Sequence, residues 1–231
     1  MEAGKKEATR EAAIVISHVN RVFPVAGGEF QALTDICAEV PAGVLTILKG
    51  RSGSGKTTLL NIVGALDVPT SGSVLIGGRD VCKLSERARE NLRRTKVGFV
   101  FQSVSLIPTM DAFQNVEFSL RLAGVKKDRG QRVEECLKMV GLGNRMHHMP
   151  VEMSGGEQQR VAIARAIAHR PQIILADEPT GNLDSRTGAG IMALLRDINQ
   201  ETGQTIIMVT HSQEAADSST RMITVQDGMI I

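Results

Sequence analysis

The stretch GRSGSGKT at residues 50–57 fits the pattern G-x-x-x-x-G-K-[ST] in full. Glycines at these positions let successive backbone N–H groups turn inward on phosphate oxygens, and a following helix aims its positive end at the same oxygens. Gly50, Arg51, Ser52, Gly53, Ser54 and Gly55 then form a cradle. Lys56 reaches the β- and γ-phosphates, the Thr57 hydroxyl holds Mg²⁺, and the contact set runs on to Thr58. A glycine turn before an ordinary helix is the competing reading. The flanks argue against it: the apolar VLTIL runs into the loop and the helical pattern TTLLNIVGAL leaves it, which is the strand–loop–helix order a phosphate loop needs. The sequence specifies a nucleoside triphosphate site.

Further along, IILADEP at 173–179 is an apolar run ending in two adjacent carboxylates. Consecutive side chains at a strand end point opposite ways, so Asp177 and Glu178 have different duties. Asp177 suits a Mg²⁺ shell, and Glu178 suits a general base that polarises water. His211 ends the next apolar run, IIMVTH, which predicts its imidazole at the same sheet edge, where open α/β sheets hold ligands. Taken singly, an Asp–Glu pair also fits a helix cap with a solvated neighbour, and a lone histidine is more often structural. Beside a phosphate loop, the hydrolytic reading prevails. A third stretch, MSGGEQQR at 153–160, resembles another phosphate-facing loop but carries no lysine.

The elements that must position these residues follow from the pattern. AIVISHV, QALTDICAEV, GVLTILKG and SGSVLIGG read as strands in the first third. Between about 103 and 153 the texture changes: Val133, Cys136, Leu137 and Val140 fall at helical spacing among charges, which predicts an inserted helical lobe. VAIARAIAH then reads as helix, QIILADEP as a buried strand, GIMALLRDINQET as an amphipathic helix, TIIMVTH as another buried strand and RMITVQDGMII as a closing strand pair. Buried strands alternating with helices mean an α/β fold on a mostly parallel sheet.

Length and charge set outer bounds. At 231 residues the chain makes one core with a sizeable inserted lobe. A net charge of +2 gives no global argument for nucleic acid or an acidic membrane surface. Cys37, Cys82 and Cys136 are odd in number, widely spaced and without metal-ligand pairing in the sequence, as expected of buried or idle thiols in a reducing compartment. No apolar run nears the ~18 residues that span a bilayer, and the charged start, residues 1–13, is expected to be a flexible leader, which makes the expected location cytoplasmic.

From Ile14 to the last residue the sequence resembles the nucleotide-binding subunit of an ABC (ATP-binding cassette) transporter. The phosphate loop at 50–57, Gln102, SGGE at 154–157, Asp177–Glu178, Asp184 in GNLD and His211 come in the family's order. LLNIVGALDVPTSG, VGFVFQ and SGGEQQRVAIARAIAHRPQIILADEPTGNLD bring it nearest to the branch of macrolide exporters, lipoprotein-release ATPases, antimicrobial-peptide exporters and division ATPases. The resemblance implies a phosphate-loop NTPase (RecA-like) core with an antiparallel β subdomain and an inserted α-helical subdomain. It implies a Mg²⁺-dependent ATPase working as a head-to-tail homodimer on the cytoplasmic face of the membrane, bound peripherally to a transmembrane permease and to no nucleic acid. Each ATP would lie on one copy's phosphate loop and under the other's Ser154, Gly155, Gly156 and Glu157, so the second loop needs no lysine. Asp184 would bridge the two sites, Gln102 would complete the Mg²⁺ shell, His211 would act at the catalytic centre, and Phe23 would stack on adenine where the family usually has tyrosine.

Rival members of the same superfamily fit less well. Chromosome-structure ATPases interrupt the fold with a long coiled coil, yet only 51 residues separate Gln102 from Ser154. Ribosome-acting members have two cassettes, and this chain has one phosphate loop. A division-type ATPase that signals through a membrane partner and moves no cargo stays open. Phe99, Phe101, Phe113 and Phe118 cluster around Gln102. With SVSLIPTMDA, which includes Leu106 and Met110, they either line a groove for a helix of the permease or pack the lobe on the core.

Overall fold

The computed structural model describes residues 11–210 and 221–231. Strand β1 (Ala12–Val25) turns tightly into β2 (Gly28–Pro41), antiparallel to it, and buries Ile14, Ile16 and Val19 on its inner face. The sheet thus begins at Ala12, two residues ahead of the expected boundary at Ile14. β4 (Ser71–Ile76) pairs with the other edge of β1, and β5 (Arg79–Asp80) completes a four-stranded antiparallel sheet in the order β2-β1-β4-β5.

The second sheet holds β3 (Leu45–Lys49), β6 (Val97–Val100), β7 (Ile173–Asp177), β8 (Thr205–Val209), β9 (Arg221–Gln226) and β10 (Met229–Ile230), in the order β10-β9-β3-β8-β7-β6. All neighbours are parallel except the closing β9–β10 hairpin. The strands β3, β7 and β8 are nearly continuous apolar runs because both of their faces are covered.

One face, with Ile47, Ile174, Ala176, Ile206 and Met208, packs against α3 (Ala112–Leu122), α4 (Arg129–Met139), α5 (Gly155–Ile167) and α6 (Ser185–Thr202). The other face, with Leu48, Ile173, Leu175, Ile207 and Val209, packs against α1 (Lys56–Val63) and the antiparallel sheet. Truncating a central Leu, Ile or Met of these strands to Ala costs about 2–5 kcal/mol, from lost burial plus the cavity left behind. Among the described residues no helix is long and apolar enough to cross a membrane.

The sequence pattern misses α2 (Glu86–Lys96), capped by Ser85. Its residues ERARENLRRTK are almost all polar and only Leu92 is buried, so it has no apolar stripe for periodicity to find. The helix expected over TTLLNIVGAL also stops short, at Val63.

Candidate active site

The phosphate loop spans residues 50–55 between β3 and α1. Gly55 stands as the helix N-cap at φ 99°, and a Cβ there would press on the Ala32 carbonyl and the Leu33 side chain; only glycine serves both demands. No side chain caps α1 and no acidic residue sits in its first turn, so the first amides and the helix dipole are left for an anion. Lys56 is buried, and its Nζ donates to the carbonyls of Gly50 (3.0 Å) and Arg51 (2.6 Å) and to Ser54 Oγ (3.5 Å). Burial lowers the Lys56 ammonium below the usual lysine range, against the pull of the Glu178 and Asp177 carboxylates.

Thr57 Oγ1 donates to Asp177 Oδ1 at 3.1 Å, joining the first turn of α1 to the end of β7. Burial raises the Asp177 carboxyl above its usual range; Glu178 adds to that effect, while the Thr57 hydroxyl and Lys56 oppose it. Glu178 follows in the left-handed region at φ 45°, with its amide donating to the Val209 carbonyl on β8 at 3.0 Å and its carbonyl accepting from Gly181 at 3.0 Å. A non-glycine residue held there costs about 1–3 kcal/mol and persists only where its surroundings dictate it. The sheet edge therefore gathers Lys56, Thr57, Asp177 and Glu178. His211 lies outside the described residues.

Phe23, on β1, carries the Arg21 guanidinium 4.3 Å above its ring, and Asp67 holds Arg21 with two 2.9 Å hydrogen bonds. Gln102 follows β6, with its side chain packed against the Cα of Gly181, where a Cβ would lie 2.7 Å from Gln102 Nε2. Asn182 Nδ2 donates to the Gln102 carbonyl at 3.2 Å.

SGGE opens α5. Ser154 Oγ accepts from the Glu157 amide (3.3 Å), and Glu157 Oε2 accepts from the Ser154 amide and hydroxyl, both at 2.9 Å. Those backbone and side-chain bonds from Ser154 hold the Glu157 carboxyl below its usual range. Its carboxylate is thus turned back on its own helix cap. Gly156 is buried against Thr187, and Asp184 caps α6 by accepting from the Thr187 amide at 3.0 Å, so SGGE and GNLD share one surface. Among the described residues, no hydrogen bond or ion pair links SGGE to residues 50–58 of the same chain.

A cavity of about 560 Å³ lies beside this site, lined by Leu66, Phe99, Phe101, Ile107, Phe118 and Leu122 with Arg93 and Arg94 of α2. Leu106 and Phe113 instead pack on the core shared by α3, α4 and α5, and Met110 does not line the cavity. The segment 101–111 is irregular, so no period in the sequence tells Leu106 from Ile107. Its shape comes from anchors that the sequence pattern does not single out. Arg165 on α5 donates to the carbonyls of Ser105 (2.6 Å) and Val104 (3.1 Å), and Gln159 on α5 to that of Phe101 (3.3 Å). Asn115, buried on α3, accepts from the Ile107 amide (2.8 Å) and donates to the carbonyls of Ile107 (3.1 Å), Met110 (2.8 Å) and Asp111 (3.0 Å).

Comparison with known proteins shows the family. The family model described as ABC transporter matches residues 33–181. An ABC transporter ATP-binding protein of Thermotoga maritima is 47% identical over 211 residues, 91% of this chain and 90% of that one. The macrolide export ATP-binding/permease protein MacB of Hahella chejuensis is 44% identical over 96% of this chain, which spans only 34% of that protein. Among solved structures, a dimeric post-hydrolysis state of the ATP-binding cassette MJ0796, bound to ADP and Pi, superposes with a TM-score of 0.86 at 41% identity, covering 94% of this chain and 96% of that one.

Proposed function

The chain belongs to the ABC transporter family, as an ATP-binding and ATP-hydrolysing subunit, and on that premise we propose that two copies close head to tail around two ATP molecules and drive a membrane permease from its cytoplasmic face. The observation that carries this reading is the convergence of Lys56, Thr57, Asp177 and Glu178 at the mouth of an uncapped helix. Residues 50–58 cradle the phosphates, and Phe23 stacks on adenine with the face opposite Arg21. Thr57 and Asp177 set two hard oxygen donors 3.1 Å apart, a set that suits Mg²⁺. With Gln102 they would hold that ion, which when bound neutralises charge on the β- and γ-phosphate oxygens. Lys56 adds a fixed cation, and Glu178 takes a proton from the attacking water. His211 is assigned to the catalytic centre on the family's pattern alone.

The second loop then serves the partner's nucleotide. Ser154 and the amides of Gly155 and Gly156, at the start of α5, present donors and a helix dipole to that γ-phosphate. Glu157 takes the one hydroxyl hydrogen of Ser154 at 2.9 Å, so that hydroxyl must rotate off the carboxylate before it donates to the partner's phosphate, and Asp184 lies at the interface between the two sites. Losing one preorganised donor costs about 10²–10³ in rate, so a lone copy hydrolyses slowly. The apolar cavity beside Phe118 and Leu122 receives a short helix of the permease.

The test is Glu178→Gln, tagged and purified from host membranes with ATP and Mg²⁺. The expected result is an ATP-locked dimer with a permease in the eluate. A variant that stays monomeric at saturating ATP refutes the role of Glu178. An eluate holding only soluble protein or nucleic acid refutes the transporter reading.

A further inference from the structure

Two irregularities in the β1–β2 pairing bring together three side chains that the linear sequence keeps apart. Ile16 faces Ala38 and Val19 faces Ile36, so Ser17 and His18 together oppose Cys37, a bulge on β1. Val19 faces Ile36 and Arg21 faces Leu33, so Thr34 and Asp35 together oppose Asn20, a second bulge on β2. Bulges re-aim side chains. His18 (φ 51°) and Asp35 (φ 47°) both take left-handed backbone, while Val19 and Ile36 between them stay fully buried. Asn20 braces both bulges: it donates to the His18 carbonyl at 3.1 Å and accepts from the Asp35 amide at 3.0 Å.

The outcome is a cluster on the exposed face. His18 Nδ1 lies 2.7 Å from Asp35 Oδ1 and 3.6 Å from Cys37 Sγ, and the three donor atoms all fall within 4.8 Å of one another. In a tetrahedral zinc site with Zn–N near 2.05 Å and Zn–S near 2.3 Å, an N···S separation of about 3.5–3.6 Å is required. The His18–Cys37 pair already stands at that spacing. The His18–Asp35 pair has to open from a hydrogen bond to about 3.4 Å and the Asp35–Cys37 pair, within 4.8 Å, to settle at about 3.5 Å, which an exposed aspartate does by a small rotation.

We propose that His18, Asp35 and Cys37 form a binding site for a borderline-soft divalent transition ion of the Zn²⁺ class, with the fourth position open to water. Thiolate and imidazole select such ions over Mg²⁺ and Ca²⁺, so the site is chemically orthogonal to the nucleotide's own cation. It lies five residues upstream of Phe23 on the same strand, in the subdomain that flanks the phosphate loop.

Co²⁺ titration of the reduced, nucleotide-free chain tests the proposal. One equivalent per chain is expected to produce a thiolate-to-cobalt charge-transfer band with tetrahedral d–d absorption, and Zn²⁺ is expected to displace it while millimolar Mg²⁺ does not. Even outer-sphere partners of a metal ligand matter about 10–100-fold, so Cys37→Ser and His18→Ala are each expected to weaken Zn²⁺ by about tenfold or more. All three side chains are exposed, so these variants fold, and unchanged ATP binding confirms it. Cys82→Ser is expected to keep the band. A missing band, or a band that survives Cys37→Ser, overturns the site.

Discussion

Asn115→Asp changes no heavy-atom shape, yet it reverses the chemistry of a buried amide. In the native chain the two Nδ2 hydrogens are shared among three carbonyls, at Ile107, Met110 and Asp111. A carboxylate there has no hydrogen to give and sets an anionic oxygen against three acceptors. Each donor bond is worth about 1 kcal/mol net, and carbonyls left facing an acceptor add to that loss. The Asp111 carbonyl keeps its helical bond from the Asn115 amide at 3.0 Å, which removes part of the penalty. The balance is about 3 kcal/mol at neutral pH. For a chain of this size it lowers Tm by about 6–12 °C.

The same geometry fixes the pH dependence. Burial and three facing carbonyls favour the protonated acid, so the new carboxyl has a folded pKa above the unfolded value of about 3.9. At a pH below the unfolded value both states are protonated and one donor is restored. As pH rises through the folded pKa the penalty appears in full. Thermal unfolding of the variant relative to the native chain at each pH is the assay, with Asn115→Ala as the reference that loses all four bonds and cannot titrate. A Tm within about 2 °C of the native value refutes the clamp, as does a pH profile identical to that of the alanine variant. Amide exchange across 101–111 should quicken in both variants.

Two further perturbations separate the site from the cavity. Asp177→Asn should raise the Tm of the nucleotide-free chain, because burial makes the ionised Asp177 unfavourable there. The sign follows from a raised folded pKa: the native chain has no deficit below the unfolded value, and its deficit against the variant grows from there and is complete once pH passes the folded value. The same variant should lose Mg²⁺-dependent ATP hydrolysis, and a lower Tm at pH 7 would show that Thr57 and Lys56 outweigh burial. Leu122→Glu, at a side chain that is 51% exposed on the cavity rim, should abolish permease capture while ATP binding is unchanged and folding stability stays within about 0.5 kcal/mol of native. Permease capture unchanged by this charge would place the docking surface elsewhere.

How much of this the sequence discloses depends on whether a residue's role is local or is set by its neighbours. Lys56, Thr57 and Asp177 act through the loop and strand that carry them, and a glycine-rich turn between an apolar run and a helix cannot be written many ways. Asn115 and Arg165 sit in helices with ordinary spacing, and their importance comes from carbonyls of a segment with no period at all. The strain at Glu178 is equally silent in the sequence, since its φ of 45° is imposed by β8 and the turn to Gly181. The His18–Asp35–Cys37 cluster depends on two register shifts, and a one-residue slip in either strand would scatter it.

The anchors also say how the apolar cavity and the nucleotide site are joined. Gln159 and Arg165, on successive turns of α5, hold the carbonyls of Phe101, Val104 and Ser105, and Asn182 holds that of Gln102 from the far side. The segment that walls the cavity and carries Gln102 is therefore fastened to α5, whose N-cap is Ser154, by three side-chain-to-carbonyl bonds, and to the loop after β7 by Asn182 and the Gly181 contact. Position between two sites does not by itself make a connection. A helix whose side chains grip main-chain carbonyls does, because those bonds break or travel together. On the proposed function, a shift of α5 that carries Ser154 toward a partner's phosphate would have to carry residues 101–105 with it or break these three bonds, and a helix seated in the cavity would load the same bonds.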